Sequence, residues 1–296
     1  MRKTIVVLSI SLLVLAPSPG GAWGFDAHRF VMDRAIALLP DPLRPLFEQH
    51  RAMAVERAID PDTWIFAGYE AEGPNHFLDL DWEGYGKYPF DELPHDFTAA
   101  VAKFGRQRID ENGTVPWRAE EYFGNLRRAF EAYERRGKFG QFHIIFFSST
   151  LAHYVSDAHV PFHAVLNYDG QLSNQHGIHA RFESIMFERY RDRLTIAPKP
   201  ATSIANPREY LFDVLKEGTQ LVPPILKSDL DALGSRDVYD QAYYDRFFAT
   251  NRPVMERRLN EAITAVAGMI MGAWEAAGKP ALPLNPPDQP QRKRRP

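Results

Sequence analysis

Apolar residues recur every three or four positions along much of the chain, the spacing of helices that bury one face. The pattern is clear in residues 27–39 (AHRFVMDRAIALL), which stop at Pro40, in 97–109 (FTAAVAKFGRQRI), in 119–136 (AEEYFGNLRRAFEAYERR) and in 254–277 (VMERRLNEAITAVAGMIMGAWEAA). Residues 143–159, HIIFFSSTLAHYVSDAH, form a further helical run that is apolar on nearly every side. Alternating strand patterns are scarce, so the chain is expected to be all-α, a single helical-bundle domain over residues 23–278. Two stretches rich in Gly, Pro and aromatics, 66–93 and 161–177, read as long structured loops. Residues 279–296 hold six prolines and a basic end, and are expected to be an unfolded tail.

The first residues change this picture only at the amino end. Arg2 and Lys3 precede an apolar run from Thr4 to Ala16, and PSPGGA supplies the small residues of a cleavage site. The run is too short for the ~20 residues that span a bilayer. A signal peptide over residues 1–22 is therefore expected, with export to the periplasm or outside and Trp23 as the new amino terminus. The chain has no cysteine, which excludes disulfides, thiol catalysis and thiolate metal sites. The formal net charge is −3, and because both ends are basic the body between them is acidic, which weighs against non-specific binding of nucleic acid.

Five of the ten histidines lie between residues 151 and 184. His153 and Asp157 stand four apart, as do His179 and Glu183, so each pair projects from one face of its helix. Two such pairs on facing helices are a common way of placing nitrogen and oxygen ligands around metal in a bundle. His163 follows Pro161, where the helix must bend or end, and can turn toward the second pair. His159 and His176 flank the constellation as supporting or surface residues, and Asp169 reads as a turn residue. Ser148 and Ser149 read as small residues in a helix.

The segments HYVSDAHVPFHAVLN and QHGIHARFES resemble the bacterial zinc-dependent phospholipase C family, whose pattern is His-x3-Asp-x5-His, a loop, then His-x3-Glu. On that resemblance His153, Asp157, His163, His179 and Glu183 fall on zinc-ligand positions. The single-strand-specific zinc nucleases of the same superfamily are similar too, but usually end the last pair in Asp and carry Gly-Gly-Asn in the preceding loop. Here Glu183 and GQLSN favour the phospholipase branch. The resemblance further implies that Trp23 chelates zinc through its amino nitrogen and carbonyl oxygen, that His28 is the next ligand, and that an Asp and a His about 14 positions apart complete the set. Asp62 with His76 has that spacing, while Asp60 is the rival. His50, His95 and His143 find no position and are expected to pack or face solvent.

Three zinc ions are thereby implied: one with Asp62, His76, His153 and Asp157, one with Trp23, His28 and Asp157, and one with His163, His179 and Glu183. The implied activity is hydrolysis of phosphate esters, phospholipids foremost, by a zinc-activated water, with Asp62 also serving as general base. The implied partners are a phospholipid or other phosphodiester substrate and a transiently touched membrane surface, and the protein is expected to be a monomer with no obligate protein partner. The chain departs from the best-known phospholipases in its short first segment and in Thr63 after Asp62, which puts choline specificity in doubt. Trp64, Phe66, Tyr69 and Phe77 are read as core or as the lining of a lipid or base pocket. A single-strand nuclease and a non-catalytic zinc-stabilised binding protein are the alternatives.

Overall fold

The structure, a computed structural model, describes residues 24–133 and 138–285. Among these residues every regular element is helical and there is no strand, so the chain is all-α. The helices are α1 (Phe25–Leu38), α2 (Arg44–Gln49), α3 (Arg51–Glu56), α4 (Asp60–Phe66), α5 (Phe97–Phe104), α6 (Arg106–Asn112), α7 (Val115–Glu131), α8 (Lys138–Ala158), α9 (178–190), α10 (Pro207–Leu233) and α11 (Gln241–Ala276). Prolines occupy the first turns of α2, α4, α7 and α10, where a missing N–H costs nothing. Asp96, Asn206 and Asp240 cap α5, α10 and α11 by accepting from the backbone N–H three residues on.

Helix α8 is the centre. It packs against α1, α3, α7, α10 and α11, which is why its sequence is apolar on nearly all sides. Of the small hydroxyl residues it carries, Ser149 donates to Ile145 O and to Ala54 O of α3, both at 2.8 Å, and Thr150 donates to Phe146 O at 3.0 Å, while the Ser148 hydroxyl is buried without a hydrogen-bond partner. The inner length of α8 presents His153 and Asp157, both fully buried, to the surrounding elements.

Three features differ from the periodicity. The run 97–109 is broken at Gly105, whose φ of +82° ends α5 and starts α6. Helix α10 runs through Pro223 and Pro224, and α11 begins at Gln241 and runs through Pro253, well ahead of the apolar pattern that marked its end. The tail expected from residue 279 is anchored over its first part: Trp274 donates to Pro280 O at 3.0 Å, Tyr133 to Pro283 O at 2.6 Å and Gln141 to Leu284 O at 2.9 Å. The rest of it, 286–296, lies outside the described residues, as do Trp23 and residues 1–22, where a signal peptide is expected.

The 66–93 loop holds two 3-10 stretches, Glu70–His76 and Glu83–Tyr85, and is tied to its surroundings by backbone bonds. Leu78 N donates to His163 O (2.9 Å), Leu80 N to Ala164 O (3.1 Å), Asp79 N to Asn112 O (2.7 Å), Thr114 N to Pro74 O (2.7 Å) and Val115 N to Phe77 O (3.1 Å). Gly113 makes this possible. Its φ is +92°, and a Cβ there would lie 2.2 Å from Phe77 O, so only glycine lets the start of α7 approach the residues beside His76. Gly113→Ala is expected to destabilise the protein by about 2 kcal/mol or more. Urea unfolding of the two proteins side by side measures it.

Candidate metal centre

Three helices and one loop converge on one buried cluster. His28 comes from α1, Asp62 from the first turn of α4, His76 from the end of the 3-10 stretch Glu70–His76, and His153 and Asp157 from α8. All five are buried. Asp157 stands between the others: its Oδ1 is 3.3 Å from His28 Nε2, and its Oδ2 is 3.0 Å from His76 Nδ1 and 3.2 Å from His153 Nε2. Asp62 lies opposite, 3.6 Å from His76 Nδ1, 3.7 Å from His153 Nε2 and 3.9 Å from His28 Nε2. A second cluster joins His163, at the start of the loop after α8, to His179 and Glu183 on α9. Glu183 Oε2 is 3.0 Å from His179 Nε2 and 3.8 Å from His163 Nε2. Helix α9 winds as a π-helix over Arg181–Ile185, the turn that carries Glu183.

Backbone carbonyls aim the imidazoles. His153 Nδ1 donates to Ala58 O at 2.8 Å, and His163 Nδ1 donates to His76 O at 2.5 Å, leaving each Nε2 turned toward its cluster. The His28 and His153 rings stack with centroids 4.0 Å apart.

The donor atoms fit a metal and satisfy one another only in part. His28 Nε2, Asp62 Oδ2, Asp157 Oδ1, His163 Nε2 and Glu183 Oε1 are all buried without a hydrogen-bond partner. Orphaned polar atoms are rare in protein interiors, and these five lie within the two clusters, while Tyr85, Ser148 and His159 carry others elsewhere. Donors about 2.05 Å from a tetrahedral zinc would lie about 3.3 Å from each other, and the carboxylate-to-imidazole separations run from 3.0 to 3.9 Å. Three groups of buried donors could hold metal ions: His28, His153 and Asp157; Asp62, His76 and His153; and His163, His179 and Glu183. This grouping differs from the expected one in placing His153 with His28 as well as with Asp62 and His76, because the two rings stack.

The electrostatics match that arrangement. Burial alone would raise the Asp157 carboxyl, but the charge and hydrogen bond of His153, joined by His28 and His76, hold it well below the usual carboxylate range. Glu183 is likewise lowered, with His179 and His163 outweighing burial. Burial, with His153 alongside, pushes the His28 imidazole down.

The remaining sequence expectations sort cleanly. Asp62 faces the cluster, whereas Asp60 pairs with Arg57 at 2.9 Å. His176 is exposed, but His159 neither supports the cluster nor faces solvent: it is fully buried, bonded through Nδ1 to Val155 O, and its carbonyl accepts from Arg258. Burial and Arg258 push it down to about 3. His50 bonds Gln141, His95 stacks on Phe212, and His143 is half-buried beside Phe147. Asp169 accepts from Gly177 N, bracing the loop. Of the aromatics, Trp64 is half-buried against Phe146 and Phe77 is half-buried, while Phe66 and Tyr69 are 58% and 70% exposed and so are not core.

Sequence reasoning missed Glu72, Tyr154 and Arg118, which form a hydrogen-bonded set behind His76. Glu72 stands four residues before His76, the same separation that marked the other pairs. It also missed the buried set of Arg181, Asp229, Tyr243 and Gln175. There Arg181 donates to Asp229 (3.2 Å), to His176 O (2.7 Å) and to Gln175 O (3.0 Å), tying the loop before α9 to α10.

The fold and the site thus define a class: an all-helical protein with buried histidine and carboxylate clusters able to hold metal ions. No protein-family model matches the chain, and no curated protein matches it.

A pH dependence follows. Burial opposes the charged forms of His153 and His163, but Asp157 and Asp62 around the first, and Glu183 and Asp157 around the second, push both up to about 9. In the metal-free chain their contribution to stability is full below the ordinary value of 6.5 and is lost as pH rises through about 9. Bound ions would take the place of those protons. The Tm of chelator-treated protein is therefore expected to fall from pH 6.5 to 9, and divalent metal is expected to flatten that fall; paired thermal melts measure both.

Proposed function

We propose that the chain is an exported zinc-dependent phosphodiesterase of the phospholipase C type. The observation that carries the reading is the set of buried, unpartnered nitrogen and oxygen donors arranged around Asp157, one of whose oxygens faces His28 while the other faces His76 and His153. A shared carboxylate of this kind suits two neighbouring cations, and an all-nitrogen-and-oxygen donor set suits zinc. On this reading Trp23 would add its amino nitrogen and carbonyl oxygen beside His28, and three ions would be held in all.

When bound, zinc would supply Lewis acidity and ionise an attacking water near neutral pH. The chain's own residues do the rest. Asp62, with Oδ2 free of any internal partner, would orient the attacking water and accept its proton. The backbone bonds to Ala58 O and His76 O keep His153 and His163 fixed while charge develops.

The favoured substrate is a phospholipid, met during transient contact with a membrane surface. Exposed Phe25, Phe66, Tyr69 and Tyr168 stand next to donor-bearing segments; the Phe25 and Phe66 rings are 6.1 Å apart, and Tyr168 lies 6.4 Å from the His179 ring. Aromatics of this kind suit acyl chains, and they suit stacked bases equally. The acidic body and Glu183 weigh toward the lipid.

The test follows phosphate-ester cleavage by zinc-loaded protein beginning at Trp23, on mixed phospholipid vesicles and on single-stranded RNA. Chelator-sensitive release of phosphorylated head groups is expected, and Asp62→Asn is expected to lower the rate by about 100-fold or more. Cleavage of RNA alone would move the protein to the nuclease branch. Silence on both substrates with zinc bound would overturn the enzymatic reading in favour of a zinc-stabilised binding protein.

A further inference from the structure

We propose that Glu72 is a positioning residue that orients His76 and keeps its proton on Nε2, so that Nδ1 is free to bind metal; the proposal rests on the metal-site reading above. The two ring nitrogens of His76 meet different surroundings. Nδ1 faces the donors, 3.0 Å from Asp157 Oδ2, 3.1 Å from His153 Nε2 and 3.6 Å from Asp62 Oδ1. Nε2 points the other way, is buried without a hydrogen-bond partner, and has Glu72 Oε1 at 4.0 Å. A neutral imidazole carries one N–H. If that hydrogen sits on Nδ1 the lone pair needed by a metal is lost, and Asp157 on its own would favour this outcome. A carboxylate near Nε2 offers the ring an alternative place for its proton, with Coulomb attraction little screened in a buried setting.

Glu72 is built for that position. It is 7% exposed and lies on the same 3-10 stretch as His76, one turn before it. Tyr154, on α8 beside the ligand His153, donates its hydroxyl to Glu72 Oε1 at 2.5 Å. Arg118 of α7 donates to Glu72 Oε2 at 3.0 Å and to Tyr154 Oη at 3.2 Å. Both carboxylate oxygens are thus pinned, with Oε1 held on the side of the imidazole. A buried carboxylate fixed by two partners and outside all three donor groups is the arrangement by which an outer group orients a histidine ligand.

The experiment is a zinc titration of the full chain against a competing chelator, for wild type and Glu72→Gln. Wild type is expected to bind three ions. In the variant one ion is expected to weaken by about 10- to 100-fold while the other two stay at wild-type affinity. Long-range proton–nitrogen NMR spectra of the zinc-loaded wild type are expected to show the His76 hydrogen on Nε2, with its exchange accelerated in the variant. Unchanged affinity for all three ions would overturn the proposal and leave the metal reading standing. Equal weakening of all three, or a matching loss of Tm, would show a merely structural residue and would also overturn it. Absence of zinc binding by wild type would remove both readings together. Should Glu72→Gln fail to fold, Tyr154→Phe, which removes one of the two restraints, is expected to weaken the same single ion several-fold, and no change there would contradict the proposal.

Discussion

A carboxylate with no access to solvent sits inside the central helix, and the arrangement of the rest follows from it. Asp157 is fully buried, so its charge must be matched within the protein or not exist. Three imidazoles within 3.3 Å match it in part. To bring them there, α1 must lie along α8 with His28 inward, α4 must begin beside them with Asp62, and the 66–93 loop must deliver His76 from the opposite side. The imidazoles and carboxylates still leave lone pairs unanswered, and a cation is the one kind of group that answers several at once.

The supports of the cluster are as specific as its donors. Two imidazoles are steered by single carbonyls, and the second of those, His76 O, belongs to a residue of the other cluster, so the two clusters share a backbone segment. Gly113 lets α7 press against that segment, and the paired backbones at 78–80 and 163–164 tie it to the loop after α8. On the far side Arg181 and Asp229 are buried together with Tyr243, joining the π-helical turn of α9 to α10 and α11. Such fully satisfied polar sets favour one arrangement over its neighbours. Rigid donors of this sort lose little entropy when an ion arrives.

Much of this was legible in the chain itself, for physical reasons. The four-residue separation of His153 from Asp157, and of His179 from Glu183, is a helix-face signal that survives without coordinates. Proline at 161 announced the turn that carries His163. Asp62 over Asp60 rested on spacing, and the structure separates them by partner: one faces imidazoles, the other an arginine. What escaped depends on contacts distant in sequence. Nothing local says that Gly105 takes a positive φ, that α10 continues through two adjacent prolines, or that Tyr133 and Gln141 anchor residues 283 and 284. His159 lay in the same histidine-rich run yet belongs to Arg258, because a helix turns neighbours to different faces. Glu72 was hidden by the loop-like composition around it.

The central claim is that these buried donors hold metal. The most direct measurement is elemental analysis by plasma mass spectrometry of protein purified without added metal or chelator, together with its Asp157→Asn variant. The account predicts about three zinc ions per wild-type chain and fewer in the variant, because the two oxygens of Asp157 face His28 on one side and His76 and His153 on the other. A folded wild-type protein that carries no stoichiometric divalent metal, and gains none on incubation with zinc, would contradict it.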